Sequence, residues 1–375
     1  MELALSPDQK LFQESARGLL EQEYSLDRVR GMEGSELRWS RDWWRKGAEL
    51  GWAAAVVPEE LGGGSVSGEG VRDLAVLAEE LGAGVAPGPV LPVNVVLAGL
   101  VAAHGRGPDH GERIEALVAG ETIATWAVYE PGREWTPADP RLTAAPADGG
   151  YVLDGVKDRV QDAGQADLLL VTAKTPDGVA QFLVPAAAAG VTISEQWTVD
   201  LSRSFGEVRF DGVRVDAGAL VGAPGADEII ERQLQIALVV QCAEVCAVLD
   251  RAFAMTTRWA FDRYSFGRPL ASYQALKHRF ADMRTWLEAC HATTQAAAAA
   301  VQAEAPDAAE LASVAKSFVG ERSLPILQDC VQIHGGIGVT WEHDLHLFLR
   351  RAVLDQALYG TPEDHRLRLA DLASL

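Results

Sequence analysis

The 375-residue chain is 48% hydrophobic and 23% charged, a balance that suits a soluble globular protein with room for two or three domains. Its formal net charge of −20 argues against nucleic acid or an anionic membrane surface as partner, leaving only local basic sites for an anionic cofactor. Met1-Glu2-Leu3-Ala4-Leu5-Ser6-Pro7-Asp8 has no basic or apolar signal segment, and no stretch reaches the roughly 18 uninterrupted apolar residues of a membrane span. A cytoplasmic chain without a membrane partner is therefore expected.

Ser6-Pro7 opens a first helix with a cap and a proline in its first turn, and Leu11, Phe12, Ala16 and Leu19-Leu20 follow at helical spacing. A second helix is expected at about 40–50, around Trp43 and Trp44. Gly62-Gly63-Gly64 closes a loop that begins at Val57-Pro58. With no strand before it and no Gly-Lys-Ser/Thr after it, this loop is not a phosphate cradle of the P-loop kind. Helices resume at about 68–81, 92–103 and 110–118. Near Glu121 the period changes to short β-prone runs at 123–128, 151–156, 168–172, 180–184 and 205–210, separated by Gly, Pro and Asp. These predict an all-β middle domain, a small barrel or sandwich.

From about 226 the chain returns to helix. Ile229, Ile230, Leu234, Leu238, Val245 and Leu249 pace a long run to about 261, and a second run spans about 272–303. Neither helix buries its apolar face alone, so a bundle is expected. Between them Arg263-Tyr264-Ser265-Phe266-Gly267-Arg268-Pro269-Leu270 presents two fixed positive charges around a glycine, and Arg suits bidentate phosphate contact. The predicted domains are 1–120 (helical), 121–222 (β) and 223–375 (helical bundle). Cys242, Cys246, Cys290 and Cys330 form no CxxC pair and are read as buried thiols. His343 and His346 stand i,i+3 without a third ligand in view, so they are read as helix surface and no metal site is expected.

Helices, a small β domain and a bundle of long helices, in that order, resemble the acyl-CoA dehydrogenase family over nearly the whole chain. The matching residues are Val57-Pro58-Glu59-Glu60-x-Gly62-Gly63, Glu130-Pro131-Gly132, Arg263-x-x-Phe266-Gly267, Gln274, Gln332-x-x-Gly335-Gly336-x-Gly338, Arg350 and Gly360-Thr361. The resemblance implies a mainly helical fold with a central β domain and a C-terminal four-helix bundle. It also implies FAD as cofactor and an acyl-CoA thioester as substrate, with a base taking the α-proton while a hydride passes to the flavin. In such enzymes the FAD site is shared across a dimer interface. The resemblance assigns Arg263, Phe266, Gln274, Gln332, Gly335, Gly336 and Thr361 to cofactor binding.

The part that would hold the flavin ring departs from the pattern. The family's Thr-Glu-Pro-x-Ala-Gly-Ser-Asp element reads Tyr129-Glu130-Pro131-Gly132-Arg133-Glu134-Trp135, and its Trp-Ile-Thr wall reads Arg159-Val160-Gln161. Tyr359 and Ala237 occupy the two positions where the family places its catalytic Glu, and a phenol of pKa about 10 is a poor base near neutral pH. No catalytic residue is therefore assigned. Glu231 lies about 240° around the helix from Ala237 and about 9 Å along it, and Glu244 shares that face about 10.5 Å away. Asp355, Glu363 and Asp364 are read as a solvated helix face or caps. The resemblance is closest to the subunit without a catalytic Glu in bacterial α2β2 heterotetramers of the steroid side-chain type. The partner would then be a catalytic subunit completing the FAD site. A self-sufficient flavoenzyme with a relocated base and a non-enzymatic acyl-CoA-binding or scaffolding protein are the alternatives.

Overall fold

The computed structural model describes residues 5–35, 37–132 and 135–374, so Arg133 and Glu134 lie outside the described residues. The first part is helical: α1 (Pro7–Glu23), α2 (Leu26–Arg30), α3 (Arg41–Glu49), α4 (Gly70–Gly84), α5 (Val90–Ala103) and α6 (Gly111–Val118). Ser6 caps α1 reciprocally with Gln9, the two backbone N–H groups each donating to the other's side chain at 3.1 Å. Helix α5 is apolar nearly all round and almost wholly buried, the pattern of a helix with neighbours on every side.

The middle part runs through β1 (Ala124–Ala127), β2 (Thr143–Ala147), β3 (Gly150–Gln161), β4 (Leu168–Thr175), β5 (Gly178–Pro185), β6 (Val191–Gln196), β7 (Phe205–Asp216) and β8 (Leu220–Val221). These form one eight-stranded sheet, ordered β6-β7-β3-β2-β4-β5-β8 with β1 parallel to β4. The long β3–β7 pair shifts register twice, between Leu153 and Gly155 and between Lys157 and Val160. The second irregularity holds Arg159 at φ +48°, in the left-handed region. Phe182, Leu169, Val171, Leu153 and Val208 give the sheet a core of its own.

The last part comprises α7 (Asp227–Asp262), a hairpin of β9 (Tyr264–Ser265) and β10 (Arg268–Pro269), α8 (Gln274–Gln302), α9 (Ala308–His334), α10 (Leu345–Ala357) and α11 (Pro362–Leu372). The interrupting octet is thus a tight hairpin whose central residues, Phe266 and Gly267, both have positive φ, +50° and +81°. That is the geometry of a two-residue type I′ turn. Gly82 on α4 meets α7 backbone to backbone: a Cβ there would fall 2.2 Å from the Glu244 carbonyl oxygen. This close approach seats α7, and Glu244 with it, in the centre of the molecule. All four cysteines are buried thiols.

Candidate functional site

One end of the helical bundle gathers most of the residues assigned to the dinucleotide. The Arg263 guanidinium lies 5.8 Å from the Trp259 ring, and Trp259 stacks on His334 at 5.4 Å and 17°. The ends of α7 and α9 therefore lie side by side, which brings Arg263 next to Gly335 and Gly336. Arg263, Gln274, Gln332, Gly335 and Gly336 are all exposed, and Phe266 is 97% exposed on its left-handed backbone. Gly335 ends α9 at φ +65°, but a Cβ on Gly336 would meet nothing within 4 Å. Among the described residues, no atom of this chain therefore requires Gly336 to lack a side chain. Thr361 sits elsewhere. It caps α11, its hydroxyl donating to Asp364 at 2.7 Å, and the adjoining Pro362 packs on Gly320, about 22 Å along α9 from Gly335.

The positions implied for the flavin wall and the base converge, and aromatic side chains fill the place where they meet. Tyr359, buried with φ +57°, donates its backbone N–H to the Tyr129 hydroxyl. Trp126 stacks on its ring at 5.9 Å and 17°, and Trp135 meets it edge-on at 6.0 Å. Tyr129 and Trp135 are 4.8 Å apart, and the Arg159 guanidinium covers Tyr129 at 4.4 Å. Burial pushes both phenols above their ordinary value, so neither serves as a base near neutral pH. His365 donates from Nε2 to the Tyr359 carbonyl at 2.8 Å, and burial lowers its pKa to about 4, which keeps it neutral.

Beside this cluster lies a buried ionic lock. Arg203 Nη2 donates to both Glu244 oxygens, at 2.7 and 2.6 Å. Arg351 donates to Glu244 and to Asp200, and reaches the Ser202 hydroxyl at 2.6 Å and the Ala86 carbonyl at 3.1 Å. Arg203 also holds Gln161, a flavin-wall position, at 3.2 Å. Burial alone would raise Asp200, but Arg351 and Arg203 outweigh it and hold its carboxyl below the ordinary range. The lock joins the β6–β7 loop to α7, α10 and the turn after α4.

No replacement base emerges among the carboxylates weighed from sequence. Ala237 is buried in the helical core, and Glu244 is bound by two guanidinia. Glu231 takes Arg368 on both oxygens at 2.6 Å. Asp355 is not a solvated residue as expected but 1% exposed, because it lies on the inner face of α10 with Phe348, Arg351 and Ala352. His343 and His346 also depart from a plain helix surface. His343 packs against His334 at 4.5 Å, and His346 stacks on Trp341 at 4.6 Å. The described residues contain no group of three or more His, Cys, Asp or Glu placed to hold a metal ion.

A cleft of about 750 Å³ runs from the 55–71 loop past α5 to the start of α7 and reaches Gln235 and Ile236, next to Ala237. Glu59, Glu228, Glu231 and Glu304 face Arg106 and Arg232 along it, so the titratable lining is net negative. Sequence reasoning missed Trp126, Trp135, Asp200, Arg203, Arg351, Lys316 and His365. One signal was available: Glu244 is the single charge in the run from Ile236 to Leu249.

A helical domain, a central sheet and a helical bundle around a cleft define the acyl-CoA dehydrogenase architecture. The chain matches that family's N-terminal domain over residues 6–121, its middle domain over 126–213 and its C-terminal domain over 225–373, and it belongs to the family. It is 29% identical over 366 residues to the acyl-CoA dehydrogenase IpdE2 of Mycolicibacterium smegmatis, covering 97% of this chain and 98% of that protein. Among solved structures, the Tcur3481–Tcur3483 steroid ACAD superposes with a TM-score of 0.87 at 30% identity, over 98% of this chain and 97% of the other. The ChsE4–ChsE5 complex of Mycobacterium tuberculosis gives a TM-score of 0.87 at 27% identity, over 100% and 99%. No helix among the described residues is long and apolar enough to cross a membrane.

Proposed function

We propose that this chain is the non-catalytic subunit of an FAD-dependent acyl-CoA dehydrogenase, lending a dinucleotide-holding surface to an FAD site shared with a partner that carries the catalytic Glu. One observation carries this reading: Trp126, Tyr129, Trp135 and Tyr359 pack where the flavin wall and the base would meet. The isoalloxazine ring, which accepts the substrate hydride when FAD is bound, does not fit among these rings. The dinucleotide portion does fit the other end of the bundle. Arg263, exposed beside the Trp259 ring, is placed to meet a diphosphate, and the open backbone at Gly335 and Gly336 admits close approach. Phe266, solvent-exposed on a left-handed backbone, suits insertion into a neighbouring chain.

The acid-lined cleft adds to this reading, because a CoA thioester is strongly anionic and is repelled there. The steroid ACAD and the two-component ChsE4–ChsE5 complex among the similar structures favour a two-chain enzyme, an α2β2 assembly acting on steroid side-chain CoA thioesters in the cytoplasm. The test is the visible absorbance and native mass of the purified chain, alone and co-expressed with a candidate partner. A colourless chain that turns yellow with its partner, at one FAD per heterodimer, is the expected result. One FAD per chain in a homo-oligomer that oxidises acyl-CoA would show a self-sufficient enzyme instead. Binding of a CoA ester without flavin in either preparation would show a scaffold.

A further inference from the structure

Where α7, α9 and α10 meet, polar groups have been buried without enough protein partners. Asp355 is 1% exposed, and neither of its carboxylate oxygens meets a protein donor among the described residues. Gln241, equally buried, has no acceptor among the described residues for its side-chain Nε2. Lys316 Nζ donates to Gln241 Oε1 at 2.8 Å and to the Asp355 main-chain carbonyl, which leaves one ammonium hydrogen unassigned. These three side chains line one small cavity with Cys242 and Ser323, offering about 10 Å³ to the centre of a water molecule. That is about the least space that holds one water, and a buried water typically makes about three hydrogen bonds.

We propose that this cavity holds a single water molecule linking Asp355 to Gln241 and Lys316, and that the hydrated Asp355 carboxyl is a proton-exchange site inside the chain. The water accepts from Gln241 Nε2 and from the Lys316 ammonium and donates to the Asp355 oxygens. Both the unmet donor and the unmet acceptors are thereby satisfied. The charged groups facing Asp355 are Glu244, Arg203, Arg351 and Lys316. Burial and the neighbouring Glu244 raise Asp355 to about 7 against the pull of the three cations. Burial lowers Lys316 to about 8 despite the opposing pull of Asp355. The carboxyl therefore exchanges its proton near neutral pH while the Cys242 thiol, raised by burial to about 12, stays protonated.

Because Asp355 is raised in the folded chain, its protonated form stabilises the fold at low pH, and that stability is lost as pH climbs from the ordinary carboxyl value towards about 7. Over that interval this one group raises the unfolding equilibrium constant about tenfold per pH unit. The test is a crystal structure of the full chain that resolves ordered water, with an infrared titration of the protonated-carboxyl carbonyl band. The expected results are water density bonded to Asp355, Gln241 and Lys316, and a band that vanishes as pH rises through about 7. Glu79 is the other carboxyl raised to about 7, so the titration is made in a Glu79→Gln background, where adding Asp355→Asn should remove the component that vanishes through about 7. A cavity without water density in the wild-type crystal overturns the proposal whether or not the variants fold. A component titrating near 7 that survives Asp355→Asn in the Glu79→Gln background, or a stability–pH slope between the ordinary carboxyl value and about 7 unchanged by Asp355→Asn, also overturns it.

Discussion

Replacing Glu244 by Gln removes the one carboxylate between two buried guanidinia while leaving its volume nearly intact. Arg203 loses a two-pronged contact at 2.7 and 2.6 Å, and Arg351 keeps Asp200 but loses its second carboxylate. The replacing amide is neutral and turns an N–H donor towards a guanidinium where an acceptor stood, so a positive charge remains buried without compensation. Breaking such a pair costs about 3–5 kcal/mol, and at an m-value of about 3 kcal/mol/M in urea the midpoint should fall by ~1–2 M. Unfolding can be followed by fluorescence, because Trp126 and Trp135 pack beside the lock. Replacing Glu244, Asp200, Arg203 and Arg351 together with apolar residues of similar volume leaves no charge of the lock unpaired and should recover most of the loss. A Glu244→Gln midpoint within ~0.2 M of wild type, or a quadruple variant no more stable than the single one, would refute the view that unpaired charge is what costs stability here.

Tyr359→Glu restores a carboxyl at the family's base position but sets it in a fully buried aromatic cluster, where burial alone raises a carboxyl by about 3–5 units. The lone variant should show no acyl-CoA-dependent dye reduction, and turnover at a normal enzymatic rate would contradict the aromatic closure. Arg263→Ala should leave stability within ~0.5 kcal/mol, because the side chain is exposed, while weakening flavin retention by the partnered protein about 10–100-fold in an equilibrium dialysis assay. Unchanged flavin content would remove Arg263 from the cofactor surface. Asp200 and Glu130 are both held below their ordinary range in the fold, each by cations that outweigh burial, with backbone N–H donors helping. Their stabilisation is complete above about pH 5 and is lost as pH falls through their depressed folded values. Asp200→Asn should therefore flatten the acid limb of a stability–pH profile, and an unaltered limb would count against the pairing with Arg351.

The architecture was legible because periodicity operates within one element at a time. The run from Ile229 to Leu249, the break at Arg263–Leu270 and the β-prone stretches each announce themselves locally, and α7, the β9–β10 hairpin and the sheet follow. Ala237 and Tyr359 stand at the two base positions that the resemblance implies, and the fold adds that both side chains are buried. What stayed hidden are partnerships between distant parts of the chain. Arg351 finds Asp200 across 151 residues and Glu244 across 107, and no local pattern encodes either. Asp355 was misjudged for a related reason: a charged residue on a short helix usually faces water, and only the packing of α10 against α7 and α9 turns it inward. The aromatic closure needed Trp126 and Trp135 beside Tyr129 and Tyr359, four residues from three separate segments. The strain at Arg159, Tyr359 and Phe266, all left-handed and none glycine, is likewise a property of the folded chain.

The hairpin tip has a consequence for the cell as well as for the site. Phe261, Tyr264 and Phe266 are respectively 65%, 64% and 97% exposed in the single chain. Greasy side chains at a protruding turn are what quality-control machinery recognises, and they are also where orphan copies begin to cluster. In the assembly proposed here the counterpart covers them, so synthesis of the two chains must be matched. A surplus copy would be marked for removal by its own surface, and its lifetime would report whether it had been paired.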